Sequence, residues 1–454
     1  MKERNDGVST PPRILAGPSK CGGKVVRLQP SPDADGVGGA DGDTKQKRPK
    51  PPKISWPRLN ANTGLPYSHV ENTEALLAAY GVTVRFNLMT HEAEFTFADG
   101  FAACGDMQRN AAEARIREWA NERKVYRAAR FVDQMSMIIA KNTYHPVADW
   151  IRSVPWDGVK RFGDLFDSLT IAPKFLAVHE KHARRAFEAW LVTSAKAAML
   201  PADAPEGIAA QGVLVLQGKQ GKQKTRWLMS LTPQGRGWSK ESVLLDPTDR
   251  DSKQQATDAW IVELGELDGT FRKSDMAHLK GFLTLRTDTY RKAYAKTHEN
   301  VARRTTFVAS VNERTYLVDD TGSRRFWSLP VLEANPNHGV NLQQLWAEAA
   351  HLAETRPELG WLSAEESAAL ADANRIFETP DPMVDDIFRV YDIDRGDPPM
   401  CWRNYEEIRK AIRPMGSWSR GETIALGKAL DRLEVPQSTG HEKARMFALK
   451  DRVR

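Results

Sequence analysis

Cysteine is scarce in this chain of 454 residues: Cys21, Cys104 and Cys401 are the whole supply, far apart and odd in number. That excludes a disulfide scaffold and a cysteine-rich zinc site, and it suits a reducing compartment. Long apolar runs are missing too. No stretch approaches the ~18 consecutive apolar residues of a membrane span, so no membrane partner is expected. The leading residues Met1-Lys2-Glu3-Arg4-Asn5-Asp6 lack the apolar core of a secretory signal, and a cytoplasmic location is expected. An excess of one charge is absent from most of the chain. Residues 1–58 hold 12 Lys/Arg against 6 Asp/Glu, which is the entire net charge of +6, while the remainder carries 53 of each. A nucleic-acid surface in the folded part must therefore be a local patch.

What is present divides along the chain. Residues 1–58 contain 9 of the 26 prolines and 8 of the 31 glycines. The run Lys45-Gln46-Lys47-Arg48-Pro49-Lys50 cannot bury enough apolar surface to offset its ordering entropy, so 1–58 is read as a disordered basic tail. Residues 59–205 are expected to form a mainly helical N-terminal domain, with a small hairpin from Val82–Phe86 and Ala93–Phe97 and a long helix from about Phe175 to Leu200. Strand-like runs then alternate with helical segments: Gly212–Leu216, Ala259–Leu264, Thr306–Val311 and Arg325–Leu329, the last ended by Pro330. This alternation predicts an α/β core with a largely parallel sheet over 206–335. A helical extension over 336–380 follows. The final segment, 381–454, has helices at Tyr405–Ile412 and Glu422–Leu433 and a strand-like end at Met446–Leu449, which suits a small winged-helix module.

The strongest local signal is Gly218-Lys219-Gln220-Gly221-Lys222-Gln223-Lys224-Thr225, which follows an apolar strand and opens a helix. That is the context of a phosphate-binding loop. Backbone N–H groups of a glycine-rich turn point at phosphate, and the helix dipole favours negative charge there. Gly218, Gln220, Gly221, Lys222 and Gln223 would wrap ATP, Lys224 would reach the β- and γ-phosphates, and the Thr225 hydroxyl would ligate Mg²⁺. Gln223 departs from the glycine the pattern asks for, so either its side chain crowds the phosphates or the backbone angle differs. Glu263 and Glu266 end the next apolar run. One carboxylate can hold the shell of Mg²⁺ and the other can orient or deprotonate water, and spacing leaves open which does which. Asn312 ends a later strand, within reach of a γ-phosphate or a lytic water. Arg324 and Arg325 stand before an aromatic strand and suit charge stabilisation of phosphoryl transfer, in cis or from a neighbouring subunit. His179 and His182 lie three apart on a helix with no third ligand, which argues against zinc.

In order, the chain also carries Tyr144-His145-Pro146-Val147, Trp156-Asp157-Gly158-Val159-Lys160-Arg161, Trp260-Ile261-Val262-Glu263-Leu264-Gly265-Glu266, Asp288-Thr289-Tyr290-Arg291-Lys292 and Thr321-Gly322-Ser323-Arg324-Arg325-Phe326-Trp327. Together with the phosphate loop, this series resembles the virulence-associated protein E family of phage and prophage proteins, whose members are similar to superfamily 3 replicative helicases and D5-type primase-helicases. The resemblance covers roughly residues 140–330. It implies a helicase-like P-loop NTPase core and an ATP- and Mg²⁺-dependent DNA motor acting in replication. It implies further a ring-shaped homo-oligomer, possible hexamer included, with Arg324 or Arg325 completing a site between subunits and Asn312 as the sensor residue. In similar helicases the interval before Asn312 carries a hairpin that grips single-stranded DNA; here Arg291, Lys292, Lys296, His298, Arg303 and Arg304 are its candidates. Host or phage replication proteins are the further partners this implies. The rival expectations are a nucleotide-binding, DNA-binding initiator or switch of low turnover, motivated by Gln223, and a scaffold that recruits replication proteins.

Overall fold

A computed structural model of the chain describes residues 51–101, 107–246, 249–265, 273–290, 299–317, 323–379, 381–393, 401–433, 435–439 and 445–451. Residues 1–50 of the expected 1–58 tail, Glu266, and the hairpin candidates Arg291, Lys292, Lys296 and His298 lie outside these. The chain divides into two units, one of residues 51–87 and 91–143, the other of 88–90 and 144–451. Residues 51–58, expected to be disordered, are instead packed, with Ile54 and Trp56 against the core of the first unit and Arg58 paired with Glu71 (2.7 Å).

The first unit begins with α1 (Val70–Ala79), capped at its N-terminus by His69 and stopped at Gly81, whose φ of +62° suits glycine. Strands β1 (Val82–Asn87) and β2 (Glu92–Phe97) then pair antiparallel with Val82 opposite Phe97, the hairpin expected from their alternation. Helices α2 (Met107–Glu122) and α3 (Phe131–Lys141) complete the unit, and β3 (Thr143–Tyr144) adds a short third strand beside β1. Leu76, Val84, Phe95, Ile116 and Ile138 form its core.

The second unit opens with α4 (Pro146–Arg152), α5 (Phe162–Asp167), β4 (Leu169–Ile171) and the 27-residue α6 (Pro173–Met199). Next come β5 (Val213–Gln217), α7 (Lys224–Met229), β6 (Ser239–Val243), α8 (Arg250–Gln255), β7 (Ile261–Leu264) and α9 (Lys273–Leu283). The antiparallel pair β8 (Thr287–Tyr290) and β9 (Glu299–Ala302) stands off the main sheet, and β10 (Thr306–Val311) and β11 (Phe326–Ala334) return to it. The sheet order is β4-β11-β5-β10-β7-β6. All pairs are parallel except β4 with β11. This is the mixed α/β architecture with parallel strands that the alternation predicted. Because β5, β7 and β10 are covered on both faces, their sequences read as nearly continuous apolar runs.

Two sequence expectations are corrected here. The long helix α6 was assigned to the front domain, yet it packs on the sheet of the second unit. The indole N–H of Trp190 donates to the Phe307 carbonyl (3.0 Å), and that of Trp260 donates to the Ser194 carbonyl (2.8 Å). Pro330 was expected to end its strand, but β11 runs on to Ala334. The strand pairs with β5 as far as Pro330 and with β4 from Val331, so the proline sits where the ladder changes partner.

Helices α10 (Leu342–Thr355) and α11 (Ala364–Asn374) close this core. Trp346 of α10 lies edge-on to Trp260 at 4.4 Å between centroids and donates to the Leu231 carbonyl (2.8 Å). Each buried indole thus places its apolar body in the core and satisfies its one donor. The segment Trp156–Arg161 is structural, as its residues suggested. Gly158 has φ +84°, Arg161 forks onto Asp157 (2.8 and 2.6 Å), and Gln344 and Glu348 of α10 accept the backbone N–H groups of Asp157 and Arg161. The Arg161 guanidinium holds the Asp157 carboxyl down at about 2.

The chain ends in α12 (Pro382–Val390), β12 (Tyr391–Asp392), β13 (Cys401–Asn404), α13 (Tyr405–Ile412), α14 (Arg420–Arg432), β14 (Gln437–Thr439) and β15 (Arg445–Asp451). Strand β15 pairs antiparallel with β12, β13 and β14, and the segment has its own core around Ile387, Ile408, Leu426, Leu430 and Phe447. Among the described residues no helix is long and apolar enough to cross a membrane.

Candidate functional site

In parallel sheets with helical crossovers, polar chemistry collects outside the carboxyl ends of the strands, where connections part to opposite sides. Here that point is the end of β5. The chain leaves β5 toward β6 at the far edge, while β11 arrives on its other side.

The loop 218–223 at this point is pinned on both flanks. Gly218 donates its N–H to the Val311 carbonyl at the end of β10 (3.0 Å), and Ala334 of β11 donates to the Lys222 carbonyl (3.1 Å). A Cβ on Gly218 would fall 2.1 Å from the Val331 carbonyl oxygen, so only glycine fits against β11. Gly221 has φ +81°. Gln223, the N-cap residue of α7, has φ +57° and ψ +21°, the left-handed region that glycine occupies at least cost. Its backbone is therefore the one a glycine would supply, and of the two consequences expected from Gln223 a different backbone angle is not observed.

Lys224, at the first turn of α7, is only 6% exposed. Its ammonium donates to the Gly218 carbonyl (2.7 Å), the Lys219 carbonyl (3.0 Å) and Asn312 Oδ1 (3.0 Å). A buried ammonium costs heavily unless its donors are satisfied, and these oxygens satisfy them. Next to it, the Thr225 hydroxyl donates to Glu263 Oε1 (2.8 Å) and lies 3.0 Å from the Ser310 hydroxyl. Glu263 is 1% exposed, on a strand that is buried throughout. Its second oxygen accepts the N–H of Ser242 (3.3 Å). That donor is released from the ladder because β6 shifts register against β7 between Lys240 and Val243, with Ser242 at φ +52°.

The structure thus brings together Lys224, Thr225, Glu263 and Asn312 from three neighbouring strand ends, as the sequence placed them. It adds Ser310 and Ser242, which sequence reasoning missed. Ser310 left a faint signal, a hydroxyl near the end of the apolar run Thr306–Val311. Ser242 left none, because neither a bulge nor a positive φ at serine is written in composition. The Thr225 hydroxyl and the Glu263 carboxylate form an adjoining pair of hard oxygen donors, the type that Mg²⁺ takes. Among the described residues no group of three or more His, Cys, Asp or Glu could hold a metal by itself.

Other candidates fall elsewhere. Arg324 and Arg325 precede β11, whose first residue Phe326 lies beside Val213 at the start of β5. They therefore stand at the opposite, amino end of the strands, a strand's length of about 16 Å from the loop. The cis alternative is corrected: within one chain neither arginine reaches the site. Arg325 is half-buried, and burial followed by the adjacent Arg324 lowers its pKa.

The assignment of Arg303 and Arg304 to DNA contact is corrected as well. Arg303 is 1% exposed and forks onto Asp288, with Nε 2.9 Å from Oδ2 and Nη2 on Oδ1. It also donates to the Phe282 carbonyl and lies 4.2 Å from the Phe282 ring centroid. Arg304 donates to the carbonyls of Leu200 (2.7 Å) and Pro201 (2.6 Å) at the end of α6, and burial pushes its pKa down to about 10. Both cations are used in holding the base of the β8–β9 pair. The same base takes a close-approach glycine: Gly207 donates to the Arg286 carbonyl (2.9 Å), and a Cβ there would lie 2.1 Å from the Arg303 nitrogen.

Residues 151–379 match the family model described as the virulence-associated protein E-like domain, and the chain belongs to that family. Among solved structures, the apo structure of the NrS-1 C-terminal region is similar at TM-score 0.46 and 12% identity, covering 83% of this chain and 98% of that one. A second form of the same apo region gives TM-score 0.44 with the same identity and coverage. No curated protein matches.

Proposed function

We propose that the chain is a Mg²⁺-dependent ATPase coupled to DNA, a helicase-like motor in the replication of a phage, prophage or related mobile element. The observation that carries this reading is the convergence of Lys224, Thr225, Glu263, Ser310 and Asn312 at the carboxyl ends of β5, β7 and β10, beside a loop whose backbone is already turned for phosphate.

In this reading the N–H groups of 218–223 and of the α7 N-terminus cradle the β-phosphate. Lys224 exchanges its carbonyl partners for phosphate oxygens, and in doing so it releases Asn312 to face the γ-phosphate or the attacking water. Thr225 and Glu263 would hold Mg²⁺, and the ion's charge would offset the charge that develops on the phosphate oxygens. Glu263 or Glu266 orients the water, and an arginine from a neighbouring subunit, Arg324 or Arg325, meets the transferring phosphoryl group.

The test is ATP hydrolysis with and without single-stranded DNA. Lys224→Ala and Glu263→Gln are each expected to lower turnover by about 10²-fold or more, the scale of removing a group that stabilises transition-state charge. Glu266→Gln compared with Glu263→Gln assigns the water-orienting acid. A wild-type rate no higher than that of Lys224→Ala would overturn the motor reading.

A further inference from the structure

The nucleotide site uses nothing beyond residue 379, yet the last segment is built as a unit with its own core. In chain order it runs helix, strand, strand, helix, helix, strand, strand, from α12 through β12, β13, α13, α14 and β14 to β15. Helices α13 and α14 are joined by residues 413–419, and the final antiparallel pair folds back beside β13. Helix α14 turns Leu426, Ala429 and Leu430 into that core. The opposite side carries Arg420, Ile424 and Lys428, four residues apart and therefore one above the other on a single exposed stripe. Ile424 is 52% exposed.

The charge on this helix is sorted. Both of its acids are engaged elsewhere: Glu422 closes the capping box with Ser419 and accepts from Arg413 (2.6 Å), and Asp431 accepts from Arg445 (2.7 Å) and Gln437. Among the described residues neither Arg420 nor Lys428 makes an ion pair. From α13 through α14 the sequence holds Arg409, Lys410, Arg413, Arg420, Lys428 and Arg432 against Glu406, Glu407, Glu422 and Asp431. Arg409 pairs with Glu406 and Arg413 with Glu422 and Asp386, so the basic surface of α14 rests on Arg420 and Lys428. This is the local basic patch that a chain neutral beyond residue 58 requires if the folded part is to meet a polyanion. From Arg420 to Lys428 the stripe spans about 12 Å, close to the width of the DNA major groove.

We infer that α14 is a duplex-DNA-binding helix: it lies in the major groove with Arg420 and Lys428 on phosphates or base edges and Ile424 against the groove floor. Helix α12 packs against both α13 and α14, and α13 precedes α14 across residues 413–419 in the chain order of a helix-turn-helix pair. The inference does not depend on ATP chemistry. It assigns the chain a second DNA surface, for duplex, apart from any grip on a single strand.

The experiment uses the full chain and fluorescence anisotropy with a mixed-sequence duplex of about 20 bp and the matching single strand. Arg420→Ala/Lys428→Ala is expected to weaken duplex binding about tenfold at 0.1 M salt and to reduce the slope of log affinity against log salt by about 2. ATP hydrolysis without DNA stays unchanged, so failure here and failure of the ATPase reading are separable. Lys174→Ala/Arg356→Ala removes the same charge from exposed positions elsewhere and is expected to bind like wild type. Arg420→Gln/Lys428→Gln keeps longer side chains in case the alanine pair alters the fold. Duplex affinity within twofold of wild type in both stripe variants would overturn the proposal. So would an equal loss in the control pair, which would mean net charge alone. A stripe that instead governs self-association, seen as a change in oligomer size without a change in duplex affinity, would overturn it too.

Discussion

At position 223 two costs oppose each other, and their balance makes a prediction. A side chain in the left-handed region costs about 1–2 kcal/mol, while glycine there would lose more conformational freedom on folding, roughly 0.4–1 kcal/mol. Gln223→Gly is therefore expected to raise unfolding free energy by no more than about 1 kcal/mol and to leave ATP turnover within about threefold. Denaturant titration and steady-state hydrolysis check the two parts. A tenfold gain in turnover would show that the glutamine side chain, not the backbone, limits the loop. Glu348 offers a second residue-scale test, governed by pH. It is 3% exposed on α10, accepts the N–H of Arg161 (2.7 Å), and has its pKa raised first of all by burial. An acid with a folded pKa above its unfolded value of about 4.3 contributes stability below that pH and loses it as pH rises through the folded pKa. Glu348→Gln keeps an oxygen acceptor and removes the titration. The variant is expected to be more stable than wild type at pH 8, with the gap closing toward pH 4, as read from urea midpoints at each pH. A gap that is constant with pH would contradict the burial argument.

At the scale of elements, legibility followed how local the cause was. Strand β10 and helix α13 have the bounds that their patterns gave, since a continuous apolar run and a capping Asn404 are properties of a few adjacent residues. The loop 218–223 was legible for the same reason. Arg303 and Arg304 were not, because their partners Asp288, Leu200 and Pro201 come from other elements and convert apparent surface charge into buried structure. Pro330 misled because the change of strand partner at its position is a property of the sheet. Ser242 acts on Glu263 only through a register shift between β6 and β7. The Arg303–Asp288 pair carries the element-scale prediction. Arg303→Ala leaves the carboxylate of Asp288 buried without its partner and should cost about 3–5 kcal/mol, whereas Arg303→Met/Asp288→Leu should recover most of that loss. Denaturant midpoints for the three proteins decide it. If Arg303 were instead a surface contact, the single substitution would cost under about 0.5 kcal/mol.

At the scale of the whole molecule, the position of Arg324 and Arg325 poses the question of assembly. One chain places Lys224, Thr225 and Glu263 at the carboxyl end of the strands and the two arginines at the amino end. Under the proposed function a single copy would offer half of a phosphoryl-transfer site at each end of the strands, and a head-to-tail arrangement of copies would join the halves. This was only partly readable beforehand: the order of motifs pointed to arginines completing a site, but the parallel pairing of Phe326 with Val213 is what removes the cis alternative. The expected outcome is complementation. Lys224→Ala lacks the nucleotide half, and Arg324→Ala/Arg325→Ala lacks the arginine half, so each should be inactive alone. Mixed in equal amounts under conditions of subunit exchange, about one interface in four pairs an intact loop with an intact arginine edge, if mixing is random and the contact is heterologous. ATP turnover should then rise to roughly a quarter of wild type, and dilution that dissociates the assembly should abolish the rise. If the arginine variant alone retains full turnover, these arginines take no part in the reaction. If both variants are inactive and mixing restores nothing while exchange is shown by native mass spectrometry, the shared site is refuted, and the inactivity of the arginine variant must come from a structural role at the start of β11.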